Sequence, residues 1–167
     1  GGTVQQAELK EYKNQEGNPV TLFDANDARM QLMLAGKAEN ICSGDYFFTP
    51  VNVSDTTLTM RLQNAEGKTL DLNYTLIPHS YMVNFTVSAG GLGNFFAPSL
   101  KTMDIEWNER ARQQEKGFDF ESRYSSLTYK IKNEGTDYLS ESSAETENIT
   151  APLDWVAFKN QFFSCVL

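Results

Sequence analysis

Apolar residues along this chain return mostly at every second position, the spacing that puts one face of an extended strand into a core. Val4, Ala7 and Leu9 open an extended segment running toward Tyr12, and Gln15-Glu16-Gly17-Asn18-Pro19 closes it with turn formers. Met30, Leu32 and Leu34 alternate, and Tyr46-Phe47-Phe48 forms an apolar run that ends at Pro50. The clearest pattern follows. Leu58, Met60 and Leu62 alternate before the turn cluster Asn64-Ala65-Glu66-Gly67-Lys68, and Leu70, Leu72, Tyr74 and Leu76 return on one face. Pro78-His79-Ser80 turns again, and Tyr81, Val83, Phe85 and Val87 follow. This predicts a three-strand meander at Leu58–Leu62, Thr69–Ile77 and Tyr81–Ser88. Met103, Ile105 and Trp107 predict another strand, and Leu127, Tyr129 and Ile131 one more. In the apolar C-terminal stretch Asp154–Leu167, Trp155 is expected to be buried.

Helical patterning is weak. Asn108–Lys116 is rich in Glu, Arg and Gln but has no apolar stripe, so it reads as a strand continuing from Trp107 rather than as a helix. Asn133–Thr150 is polar and acidic and reads as a flexible loop. Short strands separated by turns point to an all-β chain of the sandwich type, one domain over residues 1–167.

Charge narrows the function classes. The formal net charge is −8. Without a basic run the chain has little with which to neutralise phosphates, which argues against nucleic-acid binding. Anionic membrane surfaces repel it on average. Two cysteines, Cys42 and Cys165, and one histidine give no zinc-ligand set, and whether the cysteines pair is open at this level. No signal peptide or membrane-spanning helix is legible in these residues.

Candidate chemistry is sparse. Proton transfer at two oxygens of a sugar needs an acid and a base. His79 is the sole histidine and lies in a turn, so it reads as a solvated turn residue. Gly90-Gly91-Leu92-Gly93-Asn94 resembles a phosphate loop only superficially, because Phe95-Phe96-Ala97-Pro98 rather than a helix start follows it. Glu106–Arg112 combines Trp107 with carboxylates and arginines, as carbohydrate sites do. It reads more simply as a strand with Trp107 inward and charge pairs outward. The four Asn-x-Ser/Thr sites at Asn52, Asn73, Asn84 and Asn148 read as strand composition. The stretch Gly90–Phe120 breaks the alternation and is rich in aromatics. Phe95, Phe96 and Phe118 are therefore the candidate partner-binding residues, with burial as a core plug the competing reading.

Three ordered segments resemble one family. Gly1-Gly2-Thr3-Val4-Gln5-Gln6-Ala7-Glu8-Leu9 resembles its opening strand, Gly-Gly-x-(Val/Ile)-x-x-(Ala/Val)-x-Leu. Leu70–Leu76, Pro78-His79-Ser80 and Tyr81–Val87 resemble a strand-turn-strand unit, with Ser80-Tyr81 where Asp-Tyr is usual. Trp155-Val156-Ala157 and Gln161-Phe162-Phe163-Ser164 resemble the lead-in to its core strands. The family is the large periplasmic domain of the YidC-type membrane protein insertases.

That resemblance implies a galactose-mutarotase-like β-super-sandwich that continues past Leu167, in a fragment of a parent anchored in the bacterial inner membrane. It implies no catalytic residue, cofactor or metal here, because the insertion chemistry of the family belongs to its membrane helices. The implied role is a monomeric docking or chaperone-like surface for Sec translocon components and nascent membrane proteins. The alternative is a carbohydrate-binding or carbohydrate-active β-sandwich, which requires a concave pocket with an acid/base pair near His79 or Trp107.

Overall fold

The computed structural model describes residues 1–37, 39–93, 95–96 and 102–167. It is 49% strand and 5% helix, with antiparallel sheets, so the fold is mainly β as the alternation requires. In chain order the strands are β1 (Ala7–Lys13), β2 (Pro19–Phe23), β3 (Ala28–Ala35), β4 (Asn40–Cys42), β5 (Thr49–Val51), β6 (Thr57–Gln63), β7 (Thr69–Leu76), β8 (Val83–Gly90) and β9 (Asp104–Glu109). Helix α1 (Phe118–Ser122) precedes β10 (Ser126–Ile131), β11 (Thr136–Ser140), β12 (Leu153–Lys159) and β13 (Ser164–Val166). Two compact units result: Gly1–Val4 with Met30–Trp107, and Gln5–Arg29 with Asn108–Leu167.

The first unit holds the sheet β5-β6-β7-β8 and most of the sheet β4-β3-β9. The meander β6-β7-β8 pairs without a register shift from Thr57↔Thr75 to Gln63↔Thr69 and from Thr69↔Gly90 to Leu76↔Val83. Alternation sorts its faces. Leu70 and Leu72 are buried, with Leu70 in a core cluster with Leu34 and Leu92; Ile41, Leu62, Val87 and Met103 pack against that cluster. On the other face the cross-strand pairs carry polar ladders. Thr59 Oγ1 donates to Asn73 Oδ1 at 2.8 Å, and Arg61 grips Asp71 through two hydrogen bonds of 2.8 and 2.6 Å. Gly2, at φ 72°, lies so close to Phe48 that a Cβ would come within 2.8 Å of that ring, and its carbonyl accepts from Tyr74 Oη at 3.0 Å. The opening segment is thus split: Gly1–Val4 belongs to the first unit, and the strand begins only at Ala7.

The second unit holds the hairpin β1-β2 and the sheet β11-β10-β12-β13. One turn sequence, Asn-x-Glu-Gly, closes a hairpin in each unit. Asn14 Oδ1 accepts from the backbone of Glu16 and Asn18, Asn64 Oδ1 accepts from Glu66 and Lys68, and each glycine has positive φ. Such an Asn side chain imitates a backbone turn and sets the hairpin locally.

Four expectations change here. The strand through Trp107 ends at Glu109, and Arg110–Gly117 is neither strand nor helix. The short helix α1 carries Phe118. Within the polar stretch Asn133–Thr150, Thr136–Ser140 is strand β11, paired residue for residue with β10. Trp155 is only half-buried, and Ala157 takes the buried place on β12.

Candidate functional site

The second unit contains an open cleft of about 470 Å³. Its floor is a row of side chains in register across three strands: Leu127 of β10 faces Leu139 of β11 on one side and Phe158 of β12 on the other. Ala111, Phe118 and Ala144 add apolar wall, and Ser122, Ser125, Ser126, Ser140 and Ser143 supply hydroxyls. Glu109, Arg110, Arg112, Glu141, Glu145 and Lys159 also line it, so an apolar floor is joined to charged side chains of both signs, a lining that suits an amphipathic segment.

One wall is the irregular segment Arg110–Gln113, held in place by the buried Asp27 and the partly exposed Asp24. The Asp27 side chain is 1% exposed. It accepts from Arg110 Nη2 at 2.6 Å and from Arg112 Nε, while Arg112 Nη2 donates to Asp24. Arg110 N also donates to Asp27 O at 2.9 Å. Burial works against the Asp27 carboxylate, but the hydrogen bonds from Arg110 and Arg112 outweigh it and hold its pKa below the ordinary value. The arginines of the Glu106–Arg112 cluster therefore serve architecture: their partners lie on the turn before β3.

Helix α1 is fastened by Glu121, which is 3% exposed. Its carboxylate accepts from the backbone nitrogens of Gln114 and Glu115, and Gln114 Nε2 donates to Thr21 O at 2.9 Å. This grip leaves the aromatics of α1 outward. Phe118 is 56% exposed and Phe120 55%, and Phe120 stacks edge-on against Tyr124 at 5.4 Å between centroids. The polar stretch after β11 is tied back by Tyr129, whose hydroxyl donates to Glu147. That bond, with burial added, pushes the Tyr129 pKa up to about 12.

The other candidates fall elsewhere. Phe95 and Phe96 belong to the first unit, half-buried, edge-to-face at 5.4 Å and packed on the Leu34–Leu70–Leu92 cluster. Gly36 is required beside them, since a Cβ there would come within 2.6 Å of the Phe95 ring. Phe118 lies in the second unit. Asn94 and residues 97–101 of the Gly90–Phe120 stretch lie outside the described residues. Leu92 is buried, so the glycine-rich segment feeds a core rather than a helix N-terminus. His79 is exposed in its turn at φ 59°, and neither it nor Trp107 lines the cleft. Cys42 and Cys165 are free thiols. Burial pushes the Cys165 thiol up, and its hydrogen bond to Glu109 adds to the shift. Among the described residues no group of three or more His, Cys, Asp and Glu could hold a metal ion, and no helix is long and apolar enough to cross a membrane.

Sequence reasoning missed Glu121, Asp24 and Asp27. Their spacing carried a faint signal at most, because their partners lie on other segments. Phe120 and Tyr124 were legible as further aromatics just past Phe118.

Comparison with known proteins gives a consistent result. The family model described as the YidC periplasmic domain matches residues 1–167. A Phocaeicola vulgatus protein named membrane protein insertase YidC is 53% identical over all of this chain, and 27% of that protein is covered. The proteins of the same name from Bacteroides fragilis and Parabacteroides distasonis are 41% and 38% identical over 99% and 100% of this chain, again covering 27% of each. The chain thus spans about a quarter of the length of the curated relatives it matches. No solved structure matches.

Proposed function

The chain belongs to the YidC periplasmic-domain family, and from that premise we propose that it is the non-catalytic periplasmic domain of an inner-membrane insertase that inserts and folds membrane proteins. The observation that carries this reading is the family match over residues 1–167, with relatives of up to 53% identity named as insertases. The domain works as a docking surface, for emerging membrane-protein segments or for Sec translocon components, and needs no cofactor.

Within that reading the binding surface is the rim of the cleft beside α1. Phe118 and Phe120 are exposed aromatics on an element fixed by Glu121, and aromatic side chains on a rigid support are typical anchors of protein contacts. Phe95 and Phe96 are half-buried and serve as a secondary contact of the other unit.

The test uses the intact parent protein. Photo-crosslinkers at Phe118 and Phe120 should capture a client membrane protein or a Sec component during insertion, with Phe95 and Phe96 giving weaker products. Capture only at distant control positions would remove these surfaces. Failure of the intact protein to support insertion of any client would remove the insertase reading itself.

A further inference from the structure

We propose that the tip of the β7–β8 hairpin is a lipid-contacting element that dips into the bilayer interface, a reading that rests on the membrane-anchored parent proposed above. The tip is built to hold apolar side chains out in solvent. Tyr81 is 69% exposed, Met82 62%, Leu76 51%, Val83 43% and Ile77 39%. Its turn is ordered: Ser80 N donates to Ile77 O at 3.1 Å, Met82 N donates to Ser80 Oγ at 3.1 Å, and Leu76 pairs with Val83 across its base.

Charge sets this hairpin apart from the rest of the chain. From Leu72 through Leu100 the sequence holds no Asp, Glu, Lys or Arg, although 22% of the chain is charged. The turn at the opposite end of β7 shows the usual solvated alternative: it carries Glu66 and Lys68, ion-paired at 2.6 Å. The adjoining β5–β6 connection, tied to the tip by the 2.7 Å bond from Leu76 N to Thr56 O, adds the 69% exposed Val53 and a single carboxylate, Asp55.

Shape selects lipid over protein. A stable protein contact buries about 800 Å² per partner with complementary packing and a polar rim. A narrow convex hairpin tip without charged groups supplies neither. A bilayer interface is a fluid solvent that accepts a convex apolar protrusion without specific partners, and Tyr is at home at that depth. The acidic remainder of the chain is repelled by anionic headgroups, so attraction comes from a hairpin tip that has no Asp, Glu, Lys or Arg to desolvate.

The experiment reconstitutes the intact parent in phosphatidylcholine vesicles with brominated acyl chains, with an environment-sensitive fluorescent amino acid at Met82 and, as control, at Glu66. Met82 emission should shift to the blue and be quenched by the brominated lipid, while Glu66 emission should not change. In an Ile77→Ser/Tyr81→Ser background, both positions being exposed, the quenching should fall roughly tenfold. Emission from Met82 that reports water in the bilayer, or that shifts only when a second protein is added, overturns the proposal while a parent that still inserts clients keeps the insertase reading. A parent that does not enter vesicles overturns both.

Discussion

Glu121 of α1 grips Gln114 with both carboxylate oxygens, at 2.9 and 3.0 Å from the same backbone nitrogen. The third bond, from Glu115 N at 3.0 Å, completes a cap on an irregular segment. Among the described residues this buried carboxylate has no cationic hydrogen-bond partner, and oriented backbone N–H groups hold it. Removing it leaves buried N–H groups without an acceptor, at about 1–3 kcal/mol. Glu121→Ala should therefore lower chemical-denaturation stability by that amount. Glu121→Gln, which keeps one acceptor oxygen, should lose less. Equal and negligible losses in both variants would show that α1 is held by its apolar contacts instead.

The Asp27 cluster predicts an acid-sensitive wall. Its carboxylate has a lowered folded pKa, so its contribution is present above the unfolded value of about 3.9 and is lost as pH falls through the folded pKa. Thermal midpoints of the natural chain and of Asp27→Asn should differ clearly at neutral pH and converge below about pH 4. Curves that stay parallel into acid would show that the cluster contributes through packing and not charge.

Alkali should act on two tyrosines. Burial pushes Tyr74 up to about 12, and the bond to Glu147, with burial, pushes Tyr129 up to about 12 as well. Raised folded values mean that their stabilisation is complete below the unfolded pKa of about 10 and is lost as pH climbs toward the folded one. Melting curves between pH 10 and 12 should fall steeply, and Tyr74→Phe/Tyr129→Phe should flatten that fall. An unchanged slope in the double variant would place the alkaline loss elsewhere.

His79 stands at φ 59°, after Pro78 and before Ser80, whose nitrogen bonds back to Ile77. Proline second and a positive φ third is the pattern of a type II turn, where glycine fits without strain. His79→Gly should be neutral or stabilising, whereas His79→Val should cost about 1–2 kcal/mol. A catalytic role would instead abolish activity in both variants alike, since neither retains the imidazole. A stability loss in His79→Gly comparable to that in His79→Val would show that the imidazole itself holds the turn.

The meander was legible because its information is local. Alternation at Leu70, Leu72 and Tyr74 settles which face enters a core, and turn residues at Asn64–Lys68 and Pro78–Ser80 settle where the chain reverses. The resemblance at the two ends and in the middle carried the family across residues 1–167. Neither kind of signal reached α1, which at five residues is too short to display a helical period, or β11, whose Thr-Asp-Tyr-Leu-Ser reads as loop by composition.

By itself the sequence determined the β class, the inward face of β7, the turns at Asn64–Lys68 and Pro78–Ser80 and the absence of charge from Leu72 to Leu100, because each follows from neighbours a few residues away. Only the tertiary structure decided where the strand through Trp107 stops, since Arg110 and Arg112 are drawn to Asp27 and Asp24 from 83 to 88 residues distant. It also decided that Trp155 stays half-buried while Ala157 is covered, and that Glu121 points inward and Phe118 outward. Burial and ion pairing depend on what the rest of the chain brings to a side chain, and that partner is not written into its own local pattern.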